Sequence, residues 1–348
     1  MPSRPHRARS ISRHQHLAAV KPETQRELTP VSADIIVLEW NRPDATIAAI
    51  QSALSQTQVT RRIWVVDQGS DPANRVKLAR FCRHHPDVHV QYLPRNVGVA
   101  AGRNFATRLG SAPFVISLDN DAVFADELCV ARAIARLKSQ SELGAIAFRV
   151  LDGDTEEEEL YWDYPRAHLK SAVASFEVTR FLGGGHALRR EAFERAGSYD
   201  ESLFFGGEER DIAWRMIRYG YRLRLYRDLA VRHRSVTQGK VSWTGRRYYF
   251  TVRNTLYINH KFGAGGLGFA RGAAGFMLRG LRNGLGPAAV RGVAAAIAMS
   301  AQHSLDDQDR SDYALTADMR RYIATTDCKD RESLLHKLRR QLTPLPRV

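Results

Sequence analysis

At the centre of the chain stands the stretch FVISLDND, residues 114–121. Its first five residues predict a buried strand, and this strand ends at two carboxylates, Asp119 and Asp121, two positions apart. In open α/β sheets, ligands bind just beyond the carboxyl ends of the strands. Two carboxylates there are suited to hold a hard divalent cation while leaving coordination positions for substrate phosphates. An acidic turn has the same composition, so the stretch alone leaves both interpretations open.

The composition limits the class of protein. With 348 residues, a net charge of +15 and a pI near 10.1, the chain is large enough for a real core and favours an anionic partner. Its three cysteines, Cys82, Cys129 and Cys328, are too few and too far apart for a disulfide framework, which fits a reducing compartment. The sequence contains neither an apolar run of about 20 residues nor a secretion signal. We therefore expect a cytoplasmic protein, for which a peripheral position on the inner face of the plasma membrane stays open.

Strands and helices alternate before the central stretch. Apolar runs at 35–38, 63–66 and 88–93 predict three strands that alternate with helices, followed by the strand at 114–118. This order predicts an α/β fold with a mostly parallel central sheet flanked by helices, and its strand ends share one edge. The predicted edge collects six polar residues, namely Glu39, Asn41, Asp67, Asn96, Asp119 and Asp121.

Two common nucleotide-binding classes are excluded at this edge. The first predicted strand is followed neither by Gly-x-Gly-x-x-Gly nor by a Walker A lysine motif. Dinucleotide oxidoreductases and P-loop ATPases are therefore unsupported. Asp67 is placed to accept a hydrogen bond from a base imide or a ribose hydroxyl, and it is equally suited to cap a turn.

Chemistry-bearing residues also follow the central stretch. Three glycines at 183–185 precede His186 and permit close approach of the backbone to a ligand. Glu208, Glu209 and Asp211 then open a predicted helix, where the helix dipole alone favours acids. Three acids exceed what a cap requires, so one of them is a candidate general base. His233 ends a predicted strand over 223–231 and is either structural or a metal ligand.

The composition also predicts three regions. Residues 1–30 are basic and lack periodicity, as in a disordered tail; 31–260 form the α/β domain that carries these motifs, and 261–348 a helical, amphipathic C-terminal region. The segment 261–303 contains no acid and mixes aromatic and aliphatic residues with five basic ones: Lys261, Arg271, Arg279, Arg282 and Arg291. This pattern is typical of a membrane-interface helix, and equally of packed helices with a basic outer face.

Taken in order, these motifs resemble those of family 2 glycosyltransferases with the GT-A fold, in the bacterial rhamnosyltransferase-like branch. The resemblance covers about 34–262. Asp67-Gln68-Gly69-Ser70 is similar to the nucleotide-binding Asp-Asp-Gly-Ser, with Gln as the second residue. The segment 96–104 resembles the one that closes over the nucleotide, and Asp119-Asn120-Asp121 matches the metal-binding Asp-x-Asp.

The second half of the resemblance concerns the acceptor side. The spacing over 181–221 matches the acceptor-side block, and Glu208-Glu209-Arg210-Asp211 stands where the family has Glu-Asp-x-Asp. Glu209 thereby takes the position of the base, with Asp211 as the alternative. Arg247 to Asn254 resembles an Arg-Asn signature that follows the metal-ligand histidine.

The resemblance implies inverting transfer of a sugar from a nucleotide diphosphate donor (UDP- or dTDP-sugar) to a hydroxyl acceptor, with Mn²⁺ or Mg²⁺ as cofactor. The expected acceptor is a glycan or a lipid-linked saccharide of the cell envelope. The implied metal ligands are Asp121, Asp119 and His233, and the implied catalytic residues are Glu209, Asp211 and Glu208. The implied nucleotide-sugar site consists of Glu39, Asn41, Asp67, Asn96, Gly98, Arg103, Asp119 and Asn120. The implied acceptor-side residues are Gly184, Gly185 and His186.

Two other functions remain alternatives. A sugar-phosphate nucleotidyltransferase is expected to have a Gly-rich, basic loop after the first strand, and Leu38-Glu39-Trp40-Asn41-Arg42 is not such a loop. A non-catalytic nucleotide- or nucleic-acid-binding protein would use the basic residues and aromatics. It leaves the ordered acids at the strand ends unexplained, so the sequence argues against nucleic acid as the partner.

Overall fold

The computed structural model describes residues 32–157, 162–169, 172–233, 243–306 and 313–327. The chain separates into a unit of Met1–Pro30 and a unit of Val31–Val348, and only the second contains described residues. The predicted disordered tail therefore lies outside the described residues, and so does Cys328.

One sheet contains all the described strands. They are β1 (Ser32–Glu39), β2 (Thr60–Gln68), β3 (Val88–Leu93), β4 (Phe114–Leu118), β5 (Ala122–Phe124), β6 (Leu143–Asp152), β7 (Ser175–Val178), β8 (Gly185–Arg189) and β9 (Arg222–His233). The order across the sheet is β3-β2-β1-β4-β8-β6-β9-β5, and β7 pairs with β9 beside this path.

Helices cover the sheet and form the C-terminal region. They are α1 (Pro43–Leu54), α2 (Pro72–Cys82), α3 (Val99–Leu109), α4 (Cys129–Ser139), α5 (Arg166–Leu169), α6 (Arg190–Arg195), α7 (Glu208–Arg218), α8 (Gly245–Lys261), α9 (Gly266–Arg282), α10 (Gly286–Asp306) and α11 (Ala317–Thr326). None of these helices combines the length and the hydropathy that a bilayer-spanning segment requires.

The first half of the sheet is parallel, as the alternation of strands and helices predicts. β1 pairs in parallel with β2 and β4, and β2 pairs in parallel with β3. All five residues of β4 are buried because helices cover both faces of this half. The register places Glu39 opposite Asp67, and Val37 opposite Leu118, so these strands end together beneath the central acidic stretch.

The second half of the sheet contains strands that the sequence analysis did not identify. β8 pairs antiparallel with both β4 and β6, and β5 pairs antiparallel with β9. β8 begins at Gly185, and a glycine-rich start hides a strand because glycine weakens strand propensity. β5 has three residues, too few for a periodic signal.

The C-terminal helices are longer than their many glycines suggest. A Cβ on Gly280 would lie 2.8 Å from the Cβ of Ala289, and one on Gly292 would lie 2.8 Å from the Cβ of Val252. These two glycines therefore permit close contact between helices instead of interrupting them. The resulting small core is centred on Tyr248, Val252 and Ala289.

Candidate active site

A pocket of about 640 Å³ lies at the carboxyl ends of β1 and β4. Parallel strands place their ends at one edge, and the pocket forms where the antiparallel β8 follows β4. Seven residues predicted for the site line it: Glu39, Asn96, Gly98, Asp119, Asn120, Asp121 and His233. The structure thus brings together residues from β1, β9 and two separate loops.

Asp119, Asp121 and His233 form a cluster suited to a metal ion. Each offers one ligand atom, and these atoms lie within 4.8 Å of one another. His233 reaches Asp121 because β5 pairs with β9 and aligns Ala122 with His233; the distance from its Nε2 to Asp121 Oδ1 is 3.0 Å. Two carboxylates and one imidazole are donors that fit Mn²⁺ well, and the carboxylates also fit Mg²⁺.

The charges around Asp121 shift the ionisation of this cluster. Burial alone would raise the pKa of Asp121, but the hydrogen bond and charge of His233 and the charge of Arg42 bring it below its ordinary value. Burial likewise opposes protonation of His233, and Asp121 raises the pKa of His233 overall. Arg42 NH1 donates to Asp121 Oδ2 at 2.7 Å, so a guanidinium already neutralises part of the cluster.

Arg103 connects the metal cluster to the acids of α7. It is almost fully buried; NH2 donates to Asp119 Oδ1 at 2.9 Å and NH1 donates to Glu209 Oε1 at 2.8 Å. Burial would lower the pKa of this guanidinium, but Asp119 and Glu209 raise it well above its ordinary value. Arg103 therefore stays charged and holds a carboxylate from each side of the site.

The three acids at the start of α7 have different environments. Glu209 is partly exposed and faces Arg103. Glu208 is buried, 3.9 Å from Arg103 NH1, and burial together with the neighbouring Glu209 raises the pKa of Glu208. Asp211 has no exposed surface, and its carboxylate lies 2.8 Å from both Arg215 Nε and Lys261 Nζ. The structure does not bring Asp211 to the pocket, which corrects its assignment as an alternative base.

Only part of the glycine triplet lies at the site. Gly184 O accepts a hydrogen bond from Asp119 N at 3.3 Å, which ties this turn to the end of β4. Gly185 packs in the core, where an added Cβ would lie 2.8 Å from Val231. Gly183, which the sequence analysis did not select, approaches the acids more closely: an added Cβ would lie 2.7 Å from Glu209 Oε1 and 3.5 Å from Asp119 Oδ2.

The acceptor-side assignment of His186 requires a second correction. Its ring is fully buried, with Nε2 2.8 Å from Tyr199 Oη and Nδ1 3.2 Å from Leu182 O. Burial and the nearby charge of Arg103 lower the pKa of His186 well below its ordinary value, so the ring is neutral. His186 supports the strand behind the pocket and cannot contact an acceptor in this arrangement.

Three predicted nucleotide-binding residues serve as local caps. Glu39 accepts hydrogen bonds from Arg42 N at 2.7 Å and from Thr46, so its carboxylate closes the start of α1. Asn41 is exposed, and its Oδ1 accepts from Asp71 N at 2.7 Å. The third residue is Asp67, and of the three only Glu39 lines the pocket.

Asp67 is buried at the end of β2. Its Oδ1 accepts from Gly69 N, Ser70 N and Arg75 Nε at 2.8–3.2 Å, which is the turn cap that the sequence left open. Its Oδ2 has no hydrogen-bond partner among the described residues. One acceptor oxygen is thus left over at the predicted base-binding position.

The segment 96–104 lies against the loop before α7. Asn96 Oδ1 accepts from Gly98 N at 2.8 Å, and Val99 N donates to Phe204 O at 2.6 Å. Gly98 has φ +92°, and an added Cβ would lie 2.5 Å from Phe204 O. Phe204 itself has φ +59°, a conformation that a bulky residue seldom adopts. The two loops are held together at the cost of backbone strain.

Arginine and aromatic residues form a further wall of the pocket, which we call the α8 wall. It consists of Arg246, Arg247 and Phe250 from α8, with Phe204 and Phe205 opposite. The Arg246 guanidinium carbon lies 5.8 Å from the centre of the Phe204 ring, and that of Arg247 lies 5.7 Å from the centre of the Phe205 ring. Arg247 is the first residue of the segment 247–254 that resembles the Arg-Asn signature.

Some site residues escaped the sequence analysis, although a signal for two of them was present. Arg42 directly follows Asn41 at a strand end that the analysis had identified, and Gly183 belongs to the quoted glycine triplet. Arg246 lacked such a signal, because its place at the pocket depends on how α8 packs.

Comparison with known proteins gives a consistent result. Residues 34–197 match Glycosyl transferase family 2. An uncharacterized glycosyltransferase of Rickettsia bellii is 31% identical over 98 residues, 28% of this chain and 14% of that protein. Pre-mycofactocin glycosyltransferase of Mycobacterium tuberculosis is 25% identical over 205 residues, 54% of this chain and 40% of that protein. An uncharacterized protein of Haemophilus influenzae also matches the chain. The matched parts cover 14–56% of the lengths of these three relatives.

Two solved structures show the fold. The mannosyltransferase PcManGT from Pyrobaculum calidifontis, in complex with GDP-Man and Mn²⁺, matches with a TM-score of 0.53 and 18% identity, covering 89% of this chain and 86% of that one. GalNAc-T7 with UDP, GalNAc and Mn²⁺ matches with a TM-score of 0.57 and 16% identity, covering 82% of this chain and 59% of that one. At these identities the likeness concerns the fold, which is GT-A and confirms the α/β prediction.

Proposed function

Because residues 34–197 match Glycosyl transferase family 2 and the chain has the GT-A fold, we propose that it is an inverting, metal-dependent glycosyltransferase of this family. It moves a sugar from a nucleotide diphosphate to a hydroxyl group. One observation carries this proposal: the buried Arg103 binds Asp119 of the metal cluster and Glu209 of α7 through two nitrogens of one guanidinium. A candidate metal ligand and a candidate base are thereby fixed next to each other.

The donor occupies the pocket between β1 and β4. Asp119, Asp121 and His233 would hold a divalent cation, which when bound neutralises charge on the departing diphosphate. Asn96 and Gly98 line the same pocket. The Mn²⁺ bound in both solved neighbours supports this choice of cation, with Mg²⁺ as the alternative.

Glu209 is the proposed general base. Its carboxylate is partly exposed and held at 2.8 Å by Arg103, whereas Glu208 is buried and Asp211 is locked between two cations. Glu209 removes the proton of the acceptor hydroxyl as that oxygen forms its bond to the anomeric carbon, and the diphosphate leaves with the electrons of the broken bond. The geometry gives Glu209 a fixed position, which a base requires before its pKa matters.

The donor base is proposed to be uracil or thymine. Asp67 Oδ1 is occupied by three donors, and Oδ2 is the oxygen without a partner among the described residues. A single acceptor oxygen matches the single imide N–H of a pyrimidine, whereas guanine presents two adjacent donors to a carboxylate. This supports a UDP- or dTDP-sugar as the donor.

The acceptor is proposed to be a glycan or a lipid-linked saccharide of the cell envelope. The enzyme is proposed to act in the cytoplasm. The α8 wall supplies arginines and aromatic rings, which suit a sugar ring that carries a nearby phosphate. Membership of the rhamnosyltransferase-like branch stays a prediction. Asp211 and His186 are not part of this proposal.

Calorimetry with nucleoside diphosphates tests the donor site. Wild type is titrated with UDP, dTDP, GDP and ADP, with and without Mn²⁺, beside Asp121→Ala and the control Asp318→Ala, whose side chain is 90% exposed on α11. We expect Mn²⁺-dependent binding of UDP or dTDP that Asp121→Ala loses and Asp318→Ala keeps. Binding of no nucleotide, or equal binding without metal, would contradict the proposal.

Turnover tests the base. With the donor so identified, Glu209→Gln is expected to lower kcat by about 10²- to 10⁴-fold, the usual contribution of general base catalysis, while nucleotide affinity is kept. Unchanged turnover in Glu209→Gln would remove Glu209 from its role. Nucleotide binding without any transfer from a sugar panel would favour a non-catalytic nucleotide-binding protein, and release of nucleoside triphosphate from donor and pyrophosphate would favour a nucleotidyltransferase.

A further inference from the structure

The helix α9 is apolar on two faces. Its inner face packs against the neighbouring helices through Phe269, Ala273 and Phe276. Its opposite side carries Leu267, Leu278 and Leu281, which are 66%, 49% and 66% exposed. A helix on the surface of a water-soluble domain normally pairs one apolar stripe with a polar face, so this second apolar side lacks a partner among the described residues.

α10 repeats this arrangement. Val290 and Ile297 are 53% and 55% exposed and are spaced two helical turns apart. We call these five residues on α9 and α10 the apolar outer set: Leu267, Leu278, Leu281, Val290 and Ile297. They make up five of the eleven large apolar residues found exposed in the described part of the chain, so exposure is concentrated on two consecutive helices.

The charge between these apolar residues has a single sign. Arg271, Arg282 and Arg291 are exposed on α9 and α10, and no carboxylate pairs with them among the described residues. The sequence from 262 to 303 contains no Asp or Glu at all. Exposed leucines between unpaired arginines match the boundary of an anionic bilayer, where headgroups meet acyl chains.

From these observations we propose that α9 and α10 dock the protein on an anionic lipid surface through the apolar outer set and its neighbouring arginines. A second copy of the chain would present the same unpaired arginines and repel, and a nucleic acid would leave the leucines against a polar backbone. Lipid satisfies both features, since acidic headgroups attract the arginines and the acyl region takes up the apolar side chains.

Helix α8 contacts both the docking surface and the candidate active site. The N-terminal part of α8 lines the pocket through Arg246, Arg247 and Phe250. Further along, α8 packs against α9 and α10: an added Cβ on Gly272 would lie 2.9 Å from Leu256, and one on Gly292 would lie 2.8 Å from Val252. In this respect the inference rests on the proposed function, because a docked enzyme would meet an acceptor whose lipid anchor stays in the bilayer.

Vesicle sedimentation with the full-length protein tests the proposal. Phosphatidylcholine vesicles with and without phosphatidylglycerol are used at low and at physiological salt. Wild type is expected to sediment with the anionic vesicles and to be partly released by salt. Because a basic residue near an anionic surface is worth about 1 kcal/mol, or about fivefold in partitioning, Arg271→Gln with Arg282→Gln should weaken binding about 25-fold.

A second pair of variants separates lipid docking from general charge attraction. Leu278→Glu with Leu281→Glu should abolish sedimentation, whereas Val76→Glu, which changes a residue on α2 that is 67% exposed, should leave it unchanged. Equal binding to neutral vesicles, no binding at all, or binding that both double variants retain would overturn the proposal. The last result would assign attraction to another basic segment such as 1–30.

Two further readouts keep the outcomes apart. A dimer in light scattering that Leu278→Glu with Leu281→Glu dissociates would identify a second copy as the occupant, and a salt-dependent DNA shift lost in the arginine variants would identify a nucleic acid; either result overturns lipid docking. Nucleotide and Mn²⁺ affinity is measured on the same variants. If wild type binds neither nucleotide nor Mn²⁺, only the proposed function is contradicted. If all variants keep this affinity, they are folded.

Discussion

Gly183→Ala is the sharpest test of the candidate active site. The added Cβ would lie 2.7 Å from Glu209 Oε1 and 3.2 Å from Arg103 NH2. Glu209 Oε1 must therefore retreat by about 0.7 Å to reach an ordinary contact of about 3.4 Å. Gly183 has no positive φ, so the backbone accepts alanine without strain. The substitution Gly183→Ala therefore changes mainly the position of the Glu209 carboxylate.

The expected result is a separation of stability from turnover. The end of a glutamate side chain moves cheaply, and alanine reduces the entropy of the unfolded chain by about 0.4–1 kcal/mol, so Tm should change by little. A misplacement near 1 Å costs about 100-fold in rate, so a shift of about 0.7 Å should lower kcat by roughly 10- to 100-fold.

The assay is steady-state release of the nucleoside diphosphate, with Tm from thermal unfolding and nucleotide affinity from calorimetry. Gly268→Ala on α9 is the matched control, because its Cβ would meet only Ala264 at 3.5 Å, an ordinary contact. We expect Gly268→Ala to keep wild-type kcat. A folded Gly183→Ala enzyme with wild-type kcat would refute the placement of the base beside Gly183.

Three further predictions concern charges around the site. Glu208 keeps its proton in the folded chain at pH values where the unfolded chain releases it. The free energy of unfolding should therefore fall as the pH rises from 4.5, the ordinary pKa of this group, to the raised pKa of Glu208 in the folded chain. Glu208→Gln should reduce this pH dependence, as measured by denaturant unfolding. Asp211→Asn removes the buried carboxylate that Arg215 and Lys261 share, leaves Lys261 with Asp200 alone, and should cost about 3–5 kcal/mol in unfolding free energy while nucleotide affinity is kept; lost turnover at unchanged stability would instead make Asp211 the base. Arg42→Ala frees an oxygen of Asp121 and should tighten Mn²⁺ binding without nucleotide, measured by electron paramagnetic resonance; weaker binding would contradict a competing role.

The sequence predicted those parts of the fold that depend on local periodicity. β3 and β4 have the bounds that their apolar runs indicate, and the strand ends bring Glu39, Asp119 and Asp121 to one pocket. The antiparallel strands β5 and β8 were not predicted, because β8 begins in glycines and β5 is three residues long. Such strands are stabilised by their neighbours and not by their own pattern.

At the candidate site, the sequence located residue types better than side-chain directions. Glu209 and Asp211 stand two positions apart on α7, yet one faces Arg103 and the other is buried against Lys261. His186 alternates with its neighbours along β8 and points into the core. These directions depend on which face of an element is covered, and tertiary packing alone decides that.

The contact between Gly98 and Phe204 has a consequence for exchanging parts among relatives. The two loops come from positions 106 residues apart, and each carries a backbone conformation that only suits the other: any side chain at 98 would strike the carbonyl oxygen of 204 at 2.5 Å. A chimera that takes one loop from a relative and leaves the other in place would therefore lose the fit. The two segments would therefore have to be exchanged together.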